Sequence, residues 1–575
     1  MENNGDLDLN CHATGDVRLD TAIYQWIKWD KVSESTIEAL LLDGQVEELR
    51  RRLCSRMTFG TAGLRAAMGA GFALINDLTI IQLARLTAAV MLCKDIPVFL
   101  FSTYVPTPFV PYAVKRLGAA AGVMVTASHN PKEDNGYKVY WHNGAQISSP
   151  NDKEILKCIE ESSEPWSESW NESLADNSPL RSDPLREISK KYMEDLSSVC
   201  FHRELNTKSP LKFVHSSFHG VGHDYVQQAF RAFGFPPPIP VPEQKDPDPN
   251  FSTVSCPNPE EGESVLELSL RLAERENATI VMATDPDADR LAVAEQSDRC
   301  GWKVFTGNEL AALLGWWMLF NWKETHSDPA DRERMYMLAT TVSSKILKAF
   351  ARIEGFHFEE TLPGFKWIGK KIHELAKTGN EVIFAFEESI GFLCGSMVPD
   401  KDGVSAAVVV AEMASYLYNK NLTLNQQLEN IFEIYGYHIS TTSYVICHDP
   451  PTVKRIFTRL RNFEGENTYP RSSGGHSIVD VRDVTTGYDS SQPDKLCVLP
   501  MTKSSEMITF TLQNGIVATL RTSGTEPKIK FYTEFCARPG KSDISSLEEE
   551  LKKVTDTLVE EFLEPDKNNL IRRSI

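Results

Sequence analysis

Four short polar stretches of this sequence follow apolar runs, and the first contains a serine suited to group transfer. The stretch Thr126-Ala-Ser-His-Asn-Pro-Lys132 comes directly after Gly122-Val-Met-Val125. In open α/β sheets, ligands bind beyond the carboxyl ends of the strands, so a serine beside a histidine and a tight Asn-Pro turn is well placed to react. Ser128 is therefore the candidate nucleophile. A plain loop is the alternative, because Ser, Asn and Pro are common turn residues.

Alternating carboxylates form the second stretch, Asp285-Pro-Asp287-Ala-Asp289-Arg290, between two short apolar runs. Three hard oxygen donors on one loop suit Mg²⁺, which takes few protein carboxylates and completes its octahedron with water or phosphate. An EF-hand calcium loop is excluded, because Arg290 would stand at its glycine position and Gln296 at its bidentate glutamate position. An ordinary acidic turn is disfavoured, because three uncompensated acids between apolar strands repel one another.

The third and fourth stretches offer groups for a sugar and for a phosphate. Phe386-Glu387-Glu388-Ser389-Ile-Gly391 places acceptors and a donor for sugar hydroxyls at a strand end, and Asp400-Lys401-Asp402-Gly403 adds a lysine for proton transfer or phosphate binding. Arg521-Thr-Ser523-Gly524-Thr525-Glu-Pro-Lys528 has the composition of a phosphate cradle. Solvated acids at a strand end and a glycine turn in a hairpin are the respective alternatives.

Two further motifs fail when their mechanics are checked. Gly364-Phe-Lys-Trp-Ile-Gly369-Lys370-Lys371 has Lys371 where a P-loop needs Ser or Thr, and bulky residues fill its turn. His219-Gly-Val-Gly-His223 has the histidine spacing of a zinc protease but lacks the glutamate. The absence of a Gly-x-Ser-x-Gly elbow also weakens a serine-hydrolase interpretation of Ser128.

Length and charge restrict the class of protein. A chain of 575 residues is too long for one hydrophobic core and suggests about four domains. Hydrophobic content of 41% and charged content of 24% are typical of a globular protein. A formal charge of −19 argues against broad binding to nucleic acid, so an anionic substrate needs a local cluster of cations. These features favour a small phosphorylated ligand.

The terminus and the cysteines indicate a cytosolic protein. Residues 1–6 lack the basic start and apolar core of a signal peptide, and the longest apolar run, residues 310–320, is too short to span a bilayer. The 11 cysteines are scattered without a Cys-x-x-Cys pair, which is typical of reduced thiols.

Alternating strand-like and helix-like segments predict α/β domains with parallel or mixed sheets. Thr306-Gly-Asn-Glu309 is a capping box before one helix. The proline-rich segment 236–242 and the acidic, serine-rich segment 160–183 are expected to be surface loops. The predicted strands cover residues 96–101, 122–126, 211–215, 278–284, 291–295, 335–340, 382–386 and 516–520, and the predicted helices cover 109–117, 310–320 and 546–562.

Taken together, the four stretches resemble the active-site loops of the α-D-phosphohexomutase superfamily, in the same order and over nearly the whole chain. Phe59-Gly-Thr61-Ala-Gly-Leu-Arg65 is similar to the N-terminal loop of that family. The resemblance implies four domains around a central cleft, three of related α/β fold with mixed sheets and a smaller α+β domain at the C-terminus. The predicted domains are residues 1–207, 208–330, 331–440 and 441–575, here called domains I to IV.

The resemblance also implies roles for individual residues. Ser128 would be the phosphoserine, with His129 and Lys401 as the acid/base pair. Asp285, Asp287 and Asp289 would hold one Mg²⁺ against the phosphate on Ser128. The remaining implied site residues are Glu387 and Ser389 for the sugar, Gly364 in a reorientation loop, Arg521, Ser523, Thr525 and Lys528 for the remote phosphate, and Arg65, Arg290 and Thr61 as further substrate contacts.

Phosphoryl transfer needs positioning and neutralisation of spreading negative charge, which such residues supply. The implied partners are sugar phosphates and a phosphoryl donor. The chain is expected to be a monomer that binds neither nucleic acid nor a membrane. Segments such as Leu362-Pro-Gly-Phe-Lys-Trp-Ile-Gly369 resemble the branch of phosphopentomutases and glucose-1,6-bisphosphate synthases, and are closer to the synthases. That branch implies 1,3-bisphosphoglycerate as donor and glucose 1-phosphate or another hexose monophosphate as acceptor. A mutase that interconverts 1- and 5- or 6-phosphates is the alternative.

One departure from the family concerns domain I. Asn76-Asp-Leu-Thr-Ile-Ile-Gln82 runs directly into Leu83-Ala-Arg-Leu, where the family has a strand ending in Asp-x-Arg and an adjoining helix. A βα unit of about 30 to 40 residues is therefore predicted to be missing near residues 82–83. Loss of a core strand exposes apolar faces and unpaired edges, so a catalytically impaired chain that retains the cleft is a second alternative.

Overall fold

The computed structural model describes residues 14–30, 33–60, 63–80, 84–161, 164, 173–297, 301–502, 505–523, 527–540 and 543–573. It begins with three helices, α1 (Val17–Trp29), α2 (Glu34–Leu42) and α3 (Val46–Leu53). Their apolar faces pack together around Trp26, which is fully buried against the ring of Phe72 at a centroid distance of 5.0 Å. Within the predicted domain I, these helices form a small core of their own.

Domain I contains a sheet that is divided into two parts. Strands β1 and β3 flank β4 in an antiparallel three-stranded sheet, and β2 pairs in parallel with β5 in a separate two-stranded sheet. Helix α6 begins after Pro108 and ends at Gly118, whose φ of 63° is a left-handed conformation that glycine adopts without strain. The elements are β1 (Leu64–Ala67), α4 (Asp77–Ile80), α5 (Ala84–Leu92), β2 (Val98–Phe99), α6 (Phe109–Leu117), β3 (Ala121–Val125), β4 (Asp134–Trp141), α7 (Asn151–Glu161), α8 (Ser173–Asn177) and β5 (Arg181–Ser182).

Domain II is built on a mixed five-stranded sheet in the order β10-β9-β8-β6-β7. Strand β8 lies between its antiparallel neighbour β9 and its parallel neighbour β6, and every residue of β8 is buried. Helices precede this sheet and cross over between its parallel strands. Two helices at the end of the predicted domain I, α9 (Leu185–Leu196) and α10 (Arg203–Asn206), lead into it. The elements are β6 (Phe213–Ser216), α11 (Gly222–Ala232), β7 (Ile239–Pro240), α12 (Glu263–Glu276), β8 (Ile280–Thr284), β9 (Leu291–Ser297) and β10 (Gly301–Val304).

Domain III repeats this arrangement with four strands in the order β12-β11-β13-β14. Helix α13 starts with the predicted capping box, in which Thr306 and Glu309 exchange hydrogen bonds, and it is apolar around most of its circumference because it is buried. Helix α13 (Gly307–Thr325) lies at the end of the predicted domain II, and α14 (Pro329–Arg332) spans the predicted boundary at 330/331. The other elements are β11 (Met335–Thr340), α15 (Ile346–Glu354), β12 (His357–Thr361), α16 (Phe365–Lys377), β13 (Glu381–Glu387), β14 (Gly391–Cys394), α17 (Gly403–Tyr418) and α18 (Leu424–Tyr435).

Domain IV is an antiparallel sheet covered by helices, with the path β16-β17-β19-β20-β21-β15-β22 and β18 paired to β17. Helix α20 continues into a π-helical turn, Val559–Leu563. The elements are β15 (His438–Ile446), α19 (Pro450–Arg461), β16 (Ser472–Ser473), β17 (His476–Asp483), β18 (Tyr488–Asp489), β19 (Met507–Leu512), β20 (Ile516–Thr522), β21 (Lys528–Cys536), α20 (Ile544–Leu558) and β22 (Ile571–Arg572).

The hydrophobic core shows how the parts are joined. One continuous core runs from α6 of domain I through the sheets and helices of domains II and III, whereas domain IV has a core of its own. The loops at the ends of β8 and β13 are thereby held by a single packed body, whereas Met124 of β3 packs on a small separate cluster around Tyr140. None of the described helices is long and apolar enough to cross a membrane.

The structure confirms the predicted α/β class and the positions of most predicted helices and strands. Three predicted segments differ from the structure. The predicted strand 96–101 is reduced to the two residues of β2. The segment 236–242, expected to be a loop, contributes the edge strand β7, and its Val241 is 1% exposed. The described part of 160–183 contains α8 and β5, with Ala175 fully buried. In the last two cases apolar burial on a neighbouring element outweighs local turn composition.

The strand order of domain I differs from that of domains II and III. In domains II and III, a parallel strand, β6 or β11, lies beside the strand that leads to the polar loop. In the part of domain I that the structure describes, β3 pairs only with β4, and four of its five residues are half-buried and the fifth exposed. The missing βα unit stays a prediction, and this open edge supports it.

Candidate functional site

The serine loop leaves the end of β3 and turns sharply at Ser128. Ser128 has a φ of 59°, a conformation uncommon for residues other than glycine, and it is 4% exposed. Its backbone N–H donates to Thr126 Oγ1 at 2.8 Å, which holds the turn. The Ser128 hydroxyl donates to Asp285 Oδ2 at 2.7 Å and lies 3.4 Å from His129 Nδ1. The strained turn thus aims the hydroxyl at the acidic loop of domain II.

The acidic loop connects β8 to β9 and is held by backbone contacts from three domains. Val221 of domain II donates its N–H to the carbonyl of Pro286 at 2.9 Å. Thr107 of domain I donates its N–H to the carbonyl of Asp287 at 2.9 Å, and Gly403 of domain III donates to Ala288 at 3.1 Å. The close approach requires glycine at position 220, where a Cβ would lie 2.2 Å from Pro286.

The three aspartates of this loop form a candidate metal centre. Asp285, Asp287 and Asp289 are all buried, and one carboxylate oxygen from each lies within 4.8 Å of the others. The Oδ1 atoms of Asp287 and Asp289 are buried without a hydrogen-bond partner. Unpartnered buried carboxylate oxygens are costly unless a cation satisfies them, so the donor set fits a hard divalent ion.

Lys138 is a central residue that the sequence interpretation missed. It lies in β4, is fully buried, and its Nζ donates at 2.7 Å to Oδ2 of both Asp287 and Asp289. A lysine is almost never fully buried unless it is paired. The available signal was a lysine within the run Tyr137-Lys-Val-Tyr140, which was not among the predicted strands, and its counterions lie about 150 residues further along the chain.

The pKa values of the three carboxyl groups are shifted in different directions. Burial, followed by the charges of Asp287 and Asp289, raises the pKa of Asp285 well above its usual value. Burial also opposes ionisation of Asp289, but Lys138 and then Lys401 outweigh it and lower the pKa of Asp289. Lys138 likewise holds the pKa of Asp287 below its usual value against burial and the repulsion of Asp289. Cations from other domains therefore stabilise two of the three charges.

Two arginines and a histidine complete the surroundings of Ser128. Arg290 contacts Glu260 and has its Nε 3.9 Å from Asp285 and 3.8 Å from Asp289. Arg65 Nη1 donates to Asn130 Oδ1 at 3.4 Å. Burial, then Arg290 and Arg65, lower the pKa of His129 well below its usual value, so its imidazole is neutral near pH 7. A neutral imidazole can accept a proton.

The loops of domain III lie beside this centre. Glu387 accepts the N–H of Gly364 at 2.7 Å, and Gly364 has a φ of 110° that favours glycine. Lys401 is 4% exposed, and its Nζ lies 3.5 Å from Asp289. Ser389 is half-buried in the same loop as Glu387. The structure therefore brings the predicted sugar loop and lysine next to the acidic loop.

The N-terminal loop is linked to domain III by a contact that was not predicted. Lys366 Nζ donates to the carbonyl of Gly60 at 2.9 Å. Lys366 belongs to the glycine-lysine segment that failed as a P-loop. Thr61, in the same N-terminal loop, lies outside the described residues.

The loop of domain IV connects β20 to β21. Ser523 donates its N–H to the carbonyl of Lys528 at 2.9 Å, and Lys528 Nζ lies 4.3 Å from the ring centroid of Tyr444. Burial and then the charge of Glu388 raise the pKa of Tyr532, and Arg521 opposes them. Arg521 of domain IV and Glu388 of the sugar loop therefore both influence the ionisation of Tyr532. Thr525 lies outside the described residues.

Three α/β units that present a serine loop, an acidic loop and a sugar-type loop to one centre define a class of phosphohexose-metabolising proteins. Three segments of the chain match the sequence profiles of the α/β/α domains of the phosphoglucomutase/phosphomannomutase family. Residues 79–166 match domain I, residues 190–299 match domain II, and residues 306–435 match domain III. The chain belongs to the phosphoglucomutase/phosphomannomutase family.

Named relatives and a solved structure agree with this assignment. The chain is 65% identical to human glucose 1,6-bisphosphate synthase over 616 residues, covering 99% of each chain, and 54% identical to human phosphopentomutase over 597 residues, covering 96% of this chain and 97% of the relative. It shares the fold of the open form of parafusin, a phosphoglucomutase from Paramecium, with a TM-score of 0.61 and 16% identity, over 89% of this chain and 96% of the other.

The alignment with the synthase has a further implication. It extends over 616 positions and covers 99% of a chain that has only 575 residues. The relative therefore carries residues that this chain lacks. The enzyme superfamily is established by these findings, and the particular reaction and metal follow below as proposals.

Proposed function

We propose that this chain is a glucose-1,6-bisphosphate synthase that carries a phosphoryl group on Ser128. The observation that carries the proposal is the position of the Ser128 hydroxyl, buried at the end of β3 and 2.7 Å from Asp285. The higher identity to the human synthase, 65% against 54% for the phosphopentomutase, supports the synthase over the mutase. The phosphoryl donor is proposed to be 1,3-bisphosphoglycerate and the acceptor glucose 1-phosphate or another hexose monophosphate.

In the proposed reaction, Ser128 Oγ attacks the acyl phosphorus of 1,3-bisphosphoglycerate, the P–O bond to the acyl group breaks, and 3-phosphoglycerate leaves as a carboxylate. An acceptor sugar hydroxyl then attacks the phosphoserine, and Ser128 Oγ leaves and is protonated again. His129, 3.4 Å from Ser128, and Lys401, buried beside Asp289, are the proposed groups that take and return the proton. Arg65 and Arg290 stabilise the negative charge that spreads over the transferred group. The product bisphosphate leaves, and a new donor phosphorylates Ser128 again.

We propose that Asp285, Asp287 and Asp289 hold one Mg²⁺ together with the phosphate on Ser128. The unpartnered Oδ1 atoms of Asp287 and Asp289 support a cation at this position. When bound, Mg²⁺ supplies positive charge that stabilises the phosphoryl group in transfer.

The remaining predicted residues are assigned to the acceptor. Glu387 and Ser389 are proposed to bind sugar hydroxyls, and Gly364 to let the adjoining loop approach the sugar. Their position beside Lys401 and the acidic loop supports this assignment. The remote phosphate is assigned to Arg521, Ser523, Thr525 and Lys528, and Thr61 to the N-terminal loop that contacts substrate.

The central experiment measures phosphorylation of Ser128. Purified protein is offered 1,3-bisphosphoglycerate labelled in the acyl phosphate, and the label is followed into protein and then into glucose 1,6-bisphosphate. The wild type should take up close to one phosphate per chain, and Ser128→Ala should take up none. An unchanged rate in Ser128→Ala would refute the phosphoserine mechanism. Faster conversion of ribose 1-phosphate than release of glucose 1,6-bisphosphate would favour the mutase.

A second candidate, a cleft that binds sugar phosphates without turnover, is favoured by the open edge of β3. The serine loop starts one residue beyond this half-buried strand, so a poorly supported β3 would position Ser128 less firmly. Binding of glucose 1-phosphate without any label on Ser128 would support the second candidate. Stable labelling with bisphosphate formation would refute it.

The domain boundaries, the location and the oligomeric state are also proposals. We propose boundaries at residues 207/208, 330/331 and 440/441, a cytosolic location and a monomer. The separate sheets of the four regions support the first, and the free thiols found at all nine cysteines of the described residues support the second.

A further inference from the structure

Thr107 of domain I makes two hydrogen bonds to one residue of the acidic loop. It lies between Pro106 and Pro108, immediately before α6, and is fully buried. Its N–H donates to the carbonyl of Asp287 at 2.9 Å, and its Oγ1 donates to Asp287 Oδ2 at 2.6 Å. One residue thus fixes both the main chain and the side chain of Asp287.

The two oxygens of the Asp287 carboxylate have different surroundings. Oδ2 accepts from Thr107 Oγ1 and, at 2.7 Å, from Lys138 Nζ. Oδ1 is buried without a partner. Since Oδ2 already has two donors, Oδ1 is the atom that Asp287 can offer to a cation.

This asymmetry matters because Mg²⁺ and Ca²⁺ use carboxylates differently. Ca²⁺ takes about 6 to 8 oxygens at roughly 2.3–2.6 Å and accepts bidentate carboxylates, whereas Mg²⁺ requires a nearly ideal octahedron at about 2.0–2.1 Å. A carboxylate that can present only one oxygen suits the small octahedral ion. A carboxylate free to rotate can also serve the larger ion.

We propose that Thr107 is a positioning residue that makes the acidic loop prefer Mg²⁺ to Ca²⁺, an inference that rests on the proposed metal role of this loop. Its hydroxyl occupies Asp287 Oδ2 together with Lys138, so that Oδ1 would be the atom left to hold a cation. Burial and the two flanking prolines hold the Thr107 backbone in place, and its N–H bond to Asp287 fixes the distance.

The contribution of domain I is therefore part of metal selection. Lys138 alone cannot fix the carboxylate, because its Nζ is shared between Asp287 and Asp289 and could follow either group. The hydroxyl of Thr107 donates to Asp287 from a short, stiff side chain. Removal of its hydroxyl should allow Asp287 to rotate about χ2.

The experiment titrates full-length, dephosphorylated protein with Mg²⁺ and with Ca²⁺ by calorimetry, in wild type and in Thr107→Val. Valine keeps the shape of threonine but lacks the donor. Mg²⁺ affinity should fall about 10- to 100-fold, as is usual for loss of a hydrogen bond to a metal ligand. Ca²⁺ affinity should fall less, so the preference for Mg²⁺ should drop by a factor of about 10 or more.

Three variants serve as comparisons. Thr107→Ser keeps the hydroxyl and should retain most of the preference, and Thr107→Cys, a weaker donor, should be intermediate. Thr509→Val removes a buried hydroxyl that pairs with Thr519 in domain IV, and should leave both affinities unchanged. If Thr107→Val does not fold, the Ser and Cys variants still test the order of preference.

The outcomes separate this inference from the proposed function. Tight Mg²⁺ binding with an unchanged Mg²⁺/Ca²⁺ ratio in Thr107→Val or Thr107→Cys would overturn the role of Thr107 alone. A wild type that binds neither cation would overturn both this role and the proposed magnesium site. Labelling of Ser128 is measured independently, so loss of the synthase activity does not imitate either result.

Discussion

Replacement of Lys138 by methionine should destabilise the contact between domains I and II. Lys138 Nζ lies 2.7 Å from carboxylate oxygens of Asp287 and Asp289, and all three side chains are at most 3% exposed. At an effective dielectric constant of about 20, each contact corresponds to roughly 6 kcal/mol of attraction, most of which offsets the cost of removing the charges from water.

The expected cost is that of breaking a buried pair, since the variant leaves two carboxylates without their cation. Such losses are about 3–5 kcal/mol. For a domain of about 150–250 residues, this corresponds to a decrease of roughly 6–20 °C in the midpoint of the affected thermal transition. Added Mg²⁺ should recover more stability in Lys138→Met than in wild type, because it neutralises the same carboxylates.

Differential scanning calorimetry with and without Mg²⁺ measures both effects, because it resolves separate transitions in a multidomain chain. Lys190→Met is the matched control: its lysine is 73% exposed and pairs with Glu194 at 3.7 Å, so its loss should cost less than about 1 kcal/mol. If the melting temperatures of Lys138→Met and Lys190→Met differ by less than about 2 °C, the argument about the buried charges is refuted.

Two further predictions concern the support of the acidic loop. Gly220→Ala should destabilise the chain by about 1–3 kcal/mol and weaken Mg²⁺ binding, because the added Cβ would lie 2.2 Å from Pro286; unchanged calorimetric Mg²⁺ affinity would contradict it. Burial lowers the pKa of His215 to about 3, so its contribution to stability is complete above pH 6.5 and is lost as the pH falls toward 3. Between pH 7.5 and pH 5 this loss is about 2 kcal/mol, so thermal scans of His215→Leu should show a weaker acid destabilisation than wild type; equal pH profiles would count against it.

The sequence was sufficient to identify the polar loops, because each follows an apolar run whose periodicity marks a strand. Ser128, Asp285 and Lys401 belong to three different domains. Strand-end logic selected the loops of Ser128 and Asp285, the family resemblance implied a common cleft for all three residues, and the contacts of Ser128 with Asp285 and of Lys401 with Asp289 agree with it. Helix α6 and strand β11 have the predicted bounds, since local composition and burial agree there.

Residues whose partners are distant in the chain were missed. Lys138 has no local feature that names Asp287 and Asp289 as its counterions, and Thr107 is one threonine between two prolines until the fold places it on the acidic loop. Strand β2 shows the same limit in backbone terms: six residues of strand-like composition yield only two paired residues, because strand length depends on the neighbour that supplies the hydrogen bonds.

The divided sheet of domain I has a consequence for exchange with solvent. The N–H of Thr126 bonds to Gly136 of β4, so, by the alternation of an antiparallel pair, the amides of Val123 and Val125 point away from β4. In β8 the corresponding side of the strand is paired to β6. Deuterium should therefore enter β3 long before it enters β8, and the peptide that carries Ser128 should be the first part of the catalytic cleft to lose protection. Ser128, the proposed phosphoryl carrier, thus lies at the end of a strand that, among the described residues, is paired on one side only.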